Sequence, residues 1–162
     1  MKTVFQVTPR QRVIFTKKAI EQMNAFRQKT WRQAEAGGVL LGRHLLETPD
    51  IIVDEVTVPQ KLDLRSRFSF FRSRQHGQVA LQRWQAERQT LAYLGLWHTH
   101  PESDPTPSGV DRNDWEQAVA RDSFDGDRLF FPIVGIERIR VWTKSRRSSI
   151  RELKLVGEPD GR

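Results

Sequence analysis

The sequence predicts a single domain of the α/β (α+β) class, with helices packed on a mixed sheet. Three observations carry this. Segments with apolar residues at helical spacing are separated by short apolar runs of strand length. Glycine and proline mark the turns between them. The 162 residues suffice for one core, whereas two halves would each be short of one. No internal repeat, low-complexity tract or interdomain linker interrupts the pattern, so 1–156 reads as one domain and 157–162 as a loose tail.

The elements follow in order. Thr16 is placed to cap a helix in which Ile20, Met23 and Phe26 recur at helical spacing as far as about Gln33. Gly37 and Gly38 stop it, and the apolar run 39–45 predicts a buried strand, followed by a turn around Pro49 and a second strand near 51–58. The stretch 65–72 reads as a strand edge, and 75–88 as a helix with Ala80 and Trp84 on one side. A buried strand over 91–100 ends in a segment with prolines at 101, 105 and 107, which cannot continue it. Ser108 then caps a helix running through Trp115 and Val119, and strands over 129–134, 136–143 and 150–156 complete the sheet.

Composition narrows the function classes. At 37% hydrophobic and 29% charged residues the chain is globular in type. No apolar run approaches the roughly 20 residues of a membrane span, and 1–15 lacks a secretory signal, which predicts a cytoplasmic protein. Cysteine is absent, which removes disulfides, thiolate metal sites and cysteine nucleophiles together, so any metal must be held by His and carboxylate. The net charge of +7 favours acidic partners. The basic runs 65–74 and 144–151 lack the interleaved aromatics of a base-stacking platform and read as solvated faces, so nucleic acid is not the expected partner.

The chemistry concentrates around 98–111. His98 and His100 stand two apart in a strand, so both imidazoles leave the same face and can converge on one ion. Asp111, in the first turn of the next helix, is near enough through the proline loop to supply a third ligand and leave a fourth tetrahedral position for water. Two imidazoles with few oxygens suit zinc better than magnesium or calcium. The same residues admit a plainer reading: two unrelated histidines, and a Ser108-x-x-Asp111 capping box answering the helix dipole. The two readings are compatible, because a capping hydrogen bond orients a ligating carboxylate. Trp97 alternates with the histidines and points to the opposite face, where a core role is expected, as it is for Trp84, Trp115 and Trp142. His44 and His76 read as ordinary surface or internally satisfied histidines.

His98-Thr99-His100-Pro101, followed by Ser108 and Asp111, resembles the zinc motif of the JAMM metalloproteases, His-x-His and then Ser-x-x-Asp. The upstream Glu35-Ala36-Gly37-Gly38-Val39-Leu40-Leu41-Gly42 is similar to that family's other signature. The resemblance implies a JAMM, or MPN, domain: a curved mixed sheet with flanking helices and zinc at its edge, cutting isopeptide or peptide bonds after the C-terminus of a ubiquitin-like protein. It further implies that His98, His100 and Asp111 bind zinc, that Glu35 takes the proton of the attacking water, and that Ser108 steadies the oxyanion. Glu47 and Glu55 rival Glu35 by composition; only the resemblance selects among them.

The stretch 65–72 with Phe68 and Phe71, then His76, Trp84 and Tyr93-Leu94-Gly95-Leu96-Trp97-His98, resembles the small bacterial JAMM proteins of mobile elements and antiviral operons. In that branch the substrate is a ubiquitin-like modifier or a conjugated cyclic-oligonucleotide synthase of the CBASS kind, a nucleotidyltransferase attached through its C-terminal tail. Activating and conjugating enzymes are encoded alongside. The alternatives are a processing peptidase for a ubiquitin-like or sulfur-carrier precursor and, from another class, a non-catalytic MPN scaffold or nucleic-acid-binding module.

Overall fold

The chain begins with a hairpin that the sequence reading passed over. In the computed structural model, which describes residues 2–157, β1 (Lys2–Thr8) and β2 (Gln11–Thr16) pair antiparallel. The signal was an alternation of period two: Phe5 and Val7, then Val13 and Phe15, are all buried. Thr16 caps α1 (Lys17–Asn24) as expected, its hydroxyl accepting the Ala19 N–H at 3.2 Å. The helix ends at Asn24 and not near Gln33, because the Gln33 side chain accepts the backbone N–H groups of Lys29 and Thr30 and so offers that stretch an alternative to the helix. Phe26 lies beyond the helix and still packs on Trp97.

Gly37 and Gly38 do not stop a helix; they open β3 (Gly37–His44). A Cβ at Gly38 would lie 2.2 Å from the Thr57 carbonyl oxygen, so glycine is required there by close approach. Next come β4 (Ile51–Val56), β5 (Leu64–Ser66), β6 (Ser69–Phe71), α2 (Gln75–Ala86), β7 (Ala92–Thr99), α3 (Gly109–Arg121), β8 (Arg128–Val134) and β9 (Ile139–Ser145). The expected edge strand at 65–72 is instead a hairpin, β5 and β6 forming a two-stranded sheet of their own. The expected strand over 150–156 is two short ones, β10 (Arg151–Glu152) and β11 (Lys154–Gly157). Gly157 thus belongs to a strand, and the rest of the expected tail, 158–162, lies outside the described residues.

The main sheet is mixed, in the order β10-β9-β8-β7-β3-β4-β2-β1-β11, with β2–β4 and β7–β8 the parallel pairs. Its two edge strands are consecutive in the chain. Only Leu153 separates β10, which pairs with β9, from β11, which pairs with β1. A few residues span about 10 Å, so the sheet must curl until its edges nearly meet. Leu153 closes the seam: it is buried, and its N–H donates to Val141 O at 2.8 Å.

Curling divides the apolar residues between two faces. Phe15, Leu40, Trp97, Phe130 and Leu153 fill the concave side together with Ala19 and Met23 of α1. Leu41, Leu96, Phe131 and Trp142 pack under α3 through Trp115 and Val119. Trp97, Trp115 and Trp142 are therefore core, as expected. Trp84 is not: it is half-buried on the rim of a groove of about 520 Å³ with Leu81, Tyr93 and Phe124. No described helix is long and apolar enough to cross a membrane.

Candidate metal centre

The centre is assembled where three elements end. β3 and β7 pair antiparallel with Gly37 opposite His98, which brings Glu35, two residues before Gly37, beside the His98–His100 stretch. Two hydrogen bonds fix that alignment: Thr99 N–H donates to Ala36 O, and Ala36 N–H donates to the Thr99 hydroxyl, both at 2.9 Å. His100 is anchored on its other side by its N–H donating to Val134 O at 3.0 Å. The proline loop then delivers the start of α3. Ser108 and Asp111 form a reciprocal capping box: Asp111 N–H donates to Ser108 Oγ at 3.1 Å, and Ser108 N–H donates to Asp111 Oδ2 at 2.8 Å. A cap of this kind contributes about 1 kcal/mol to the helix and at the same time points the Asp111 carboxylate at the histidines.

The donor atoms converge. His98 Nε2 lies 3.1 Å from His100 Nε2 and 3.2 Å from Asp111 Oδ1, and His100 Nε2 lies 3.1 Å from Asp111 Oδ2. Zinc bonds of about 2.0–2.2 Å put neighbouring ligand atoms of a tetrahedron roughly 3.3–3.6 Å apart, and each of these three separations is within a few tenths of an ångström of that range. His100 Nδ1 lies 2.7 Å from Glu102 Oε1. Donation to that carboxylate leaves the Nε2 lone pair for a metal, the usual second contact of a ligating histidine. Two imidazole nitrogens and a carboxylate oxygen are the ligand types that a catalytic zinc takes. The donor set therefore fits zinc.

Charge and burial agree. Burial, the largest influence on Asp111, would raise its pKa, but hydrogen bonds from His100 and His98 outweigh it and hold the carboxyl well below the usual carboxylate range. Burial lowers His98; in His100 it is outweighed by Asp111 and Glu102, which leave that imidazole raised. Glu35 is 6% exposed, and its Oε1 sits 3.5 Å from His100 Nε2. Burial pushes its carboxyl up to about 7, partly opposed by His100 and assisted by Asp111.

All the site residues expected from sequence thus come together: His98, His100 and Asp111 as the converging donors, Glu35 beside them, and Ser108 holding Asp111. Glu35, His98 and His100 by themselves also place their ligand atoms within 4.8 Å of one another. Each Asp111 oxygen approaches a histidine more closely than Glu35 approaches His100. The rivals are elsewhere. Glu55 is spent on Lys18 and Arg83, each at 2.5 Å, and Glu47 is exposed on a turn. His76 is an internally satisfied histidine, lying 2.6 Å from both Thr57 Oγ1 and Asp63 Oδ2.

Sequence reasoning did not find Glu102, whose signal was its place two residues after His100. It also did not find Thr99 and Gln28, whose hydroxyl and amide meet at 2.9 Å across 71 positions of chain. No local pattern announces such a pair.

A family model of prokaryotic homologs of the JAB domain matches residues 16–148. Similar curated proteins include one named CD-NTase/cGAS isopeptidase from Pseudomonas aeruginosa, 39% identical over 108 residues that make up 66% of this chain and 67% of that protein. A Vibrio cholerae protein of the same name is 30% identical over 83% of each chain, and an Escherichia coli one is 28% identical over 88% of this chain and 87% of its own. Among solved structures, protein DSY2949 from Desulfitobacterium hafniense has the same fold, with a TM-score of 0.60 at 24% identity over 85% of this chain and 87% of its own. The match spans both halves of the motif and most of the sheet, and the chain belongs to the prokaryotic JAB-domain family.

Proposed function

We propose that this protein is a zinc-dependent isopeptidase that releases a CD-NTase, the cyclic-oligonucleotide synthase of a bacterial defence system, from lysines to which its C-terminus has been joined. The observation that carries the reading is the convergence of the His98 and His100 imidazoles with the Asp111 carboxylate, and the buried carboxyl of Glu35 next to them. The names of the relatives supply the substrate.

In this reading His98 Nε2, His100 Nε2 and one Asp111 oxygen would hold zinc. A bound ion would supply Lewis acidity to the scissile carbonyl and to the attacking water. Glu35 accepts the proton of the attacking water and delivers it to the departing lysine amine, the general-base and general-acid work of a carboxyl placed beside the reacting bond. The Ser108 hydroxyl oxygen accepts from Asp111 N–H, and its own proton stays available for the developing oxyanion.

The substrate tail must arrive extended. β5 and β6 pair only with each other among the described residues, and Leu64, Phe68 and Phe71 are exposed on that hairpin. The tail adds there as a further strand, gaining register from backbone hydrogen bonds, and the net +7 of the chain favours an acidic surface on the synthase body. The basic runs are partly engaged within the protein, Arg72 with Asp114 and Arg146 with the Gly126 carbonyl, which disfavours a nucleic-acid role.

The test presents the synthase both as a linear fusion to a reporter and joined to a lysine side chain. Metal-dependent release of both products supports deconjugation. Release from the fusion alone makes the protein a processing peptidase, and release of neither by zinc-loaded protein contradicts the reading.

A further inference from the structure

The hairpin that flanks the site is tied to the rest of the protein by very few polar contacts. Among the described residues, every hydrogen bond from 64–71 to the rest of the chain ends on Glu35 or Gln28. Glu35 N–H donates to Ser66 O at 2.7 Å, and Arg65 Nε donates to Glu35 O at 2.9 Å. Gln28 Nε2 donates to Arg67 O at 2.8 Å, at the turn. The backbone of Glu35 is thus gripped by the hairpin at both its N–H and its carbonyl.

Gln28 reaches the metal-binding strand as well. Gln28, in the loop after α1, is 1% exposed. Its Nε2 also donates to Gln33 O at 3.2 Å, and its Oε1 accepts the Thr99 hydroxyl proton at 2.9 Å. Thr99, between the two histidines, accepts Ala36 N–H at the same oxygen. Both amide hydrogens and the carbonyl oxygen of Gln28 are engaged, as are the proton and a lone pair of Thr99. Such a closed buried network is cooperative: loss of one member leaves the others unsatisfied where water does not reach.

The hairpin's stem is fixed independently. Asp63, just before β5, accepts Ser73 N–H at 2.8 Å just after β6, and also contacts the buried His76. Its tip carries exposed Phe68 and is held to the body through Gln28.

We infer that Gln28 is a positioning residue that couples the β5–β6 hairpin to Glu35 and to the His98–His100 strand, so that occupation of the hairpin by substrate sets the carboxylate of Glu35 against the scissile bond. The effect on turnover rests on the reading of Glu35 as base given above; the mechanical coupling does not. Gln28 touches no reacting atom. Its contribution is geometric, and misplacement of a catalytic group by about 1 Å costs on the order of 10²-fold in rate.

The experiment compares Gln28→Leu, Thr99→Val and Thr99→Ser with the wild type by metal content, steady-state kinetics on the conjugate and amide hydrogen exchange at Glu35 and Ala36. Gln28→Leu and Thr99→Val are expected to keep their metal and lose at least about tenfold in kcat with a smaller change in KM. The double variant should be little worse than the worse single one, since both open the same network. Thr99→Ser, which retains the hydroxyl, should recover most of the loss. Gln28 bonds neither amide, yet its substitution should accelerate exchange at both. A Gln28→Leu protein with full metal, wild-type kcat and unchanged exchange at Glu35 overturns the inference. If that variant does not fold, Thr99→Val against Thr99→Ser decides by the same readouts. If the wild type cleaves no conjugate, the proposed function fails while the exchange rates still decide the coupling.

Discussion

Glu35 Oε1 lies 3.5 Å from His100 Nε2, so the proposed general base sits against one of the proposed zinc ligands. Two influences oppose each other at its carboxyl. A positive charge at the histidines draws the Glu35 proton off, while burial in a site of low polarity keeps it on. The carboxyl is held between these influences near neutrality.

Glu35→Gln keeps the shape of the side chain but cannot accept a proton. It is expected to retain fold and metal while turnover falls by about 10²–10⁴-fold with little change in substrate affinity. Steady-state kinetics with parallel metal analysis checks this, and cleavage at near wild-type rate would move the base to another residue, Glu102 beside His100 being the next carboxylate to substitute.

In metal-free protein the same residue makes a pH-dependent contribution to stability. Its folded pKa of about 7 lies above the ordinary 4.5, so the folded state binds the proton more tightly. The contribution is fully present below 4.5 and is lost as pH rises through 7. Glu35→Gln removes the charge that must be buried, so its advantage in thermal stability over the wild type should be small at pH 4.5 and grow towards pH 8, by up to about 3 kcal/mol. An advantage independent of pH would show that the carboxyl is not desolvated.

Gly95→Ala tests the close fit of the sheet beneath the site. Gly95 has φ of +149°, a conformation that side-chain-bearing residues rarely adopt, and a Cβ there would lie 1.8 Å from Phe130 O. The substitution forces β7 and β8 apart three residues before His98, and a loss on the order of 3 kcal/mol or more is expected in denaturant unfolding. A variant of unchanged midpoint would mean that the β7–β8 spacing yields freely.

Much of this centre was legible in the sequence because its members lie near one another or in signature order. The two histidines share a strand face by period two, and Asp111 is fixed by a cap whose residues are three apart, so both follow from local geometry. Glu35 required a family resemblance, since its approach to His100 depends on the pairing of β3 with β7, which no spacing encodes. The helix expected to run to Gln33 failed for a related reason: Gln28 and Gln33 hydrogen-bond to backbone that a helix would have used, and the partner of Gln28 at Arg67 lies 39 positions away. The first hairpin was legible in its alternation of Phe5, Val7, Val13 and Phe15. Closure of the sheet by Leu153 was not, because a two-residue and a four-residue strand carry too little pattern to reveal that they sit on opposite edges.

The zinc content of purified protein tests the central claim most directly. One zinc per chain is expected in the wild type, and none retained by the His98→Ala, His100→Ala double variant, since removal of two of three protein ligands abolishes tight binding. Unchanged zinc content in that variant would contradict it, because the metal would then be held by residues other than those converging at the end of β7.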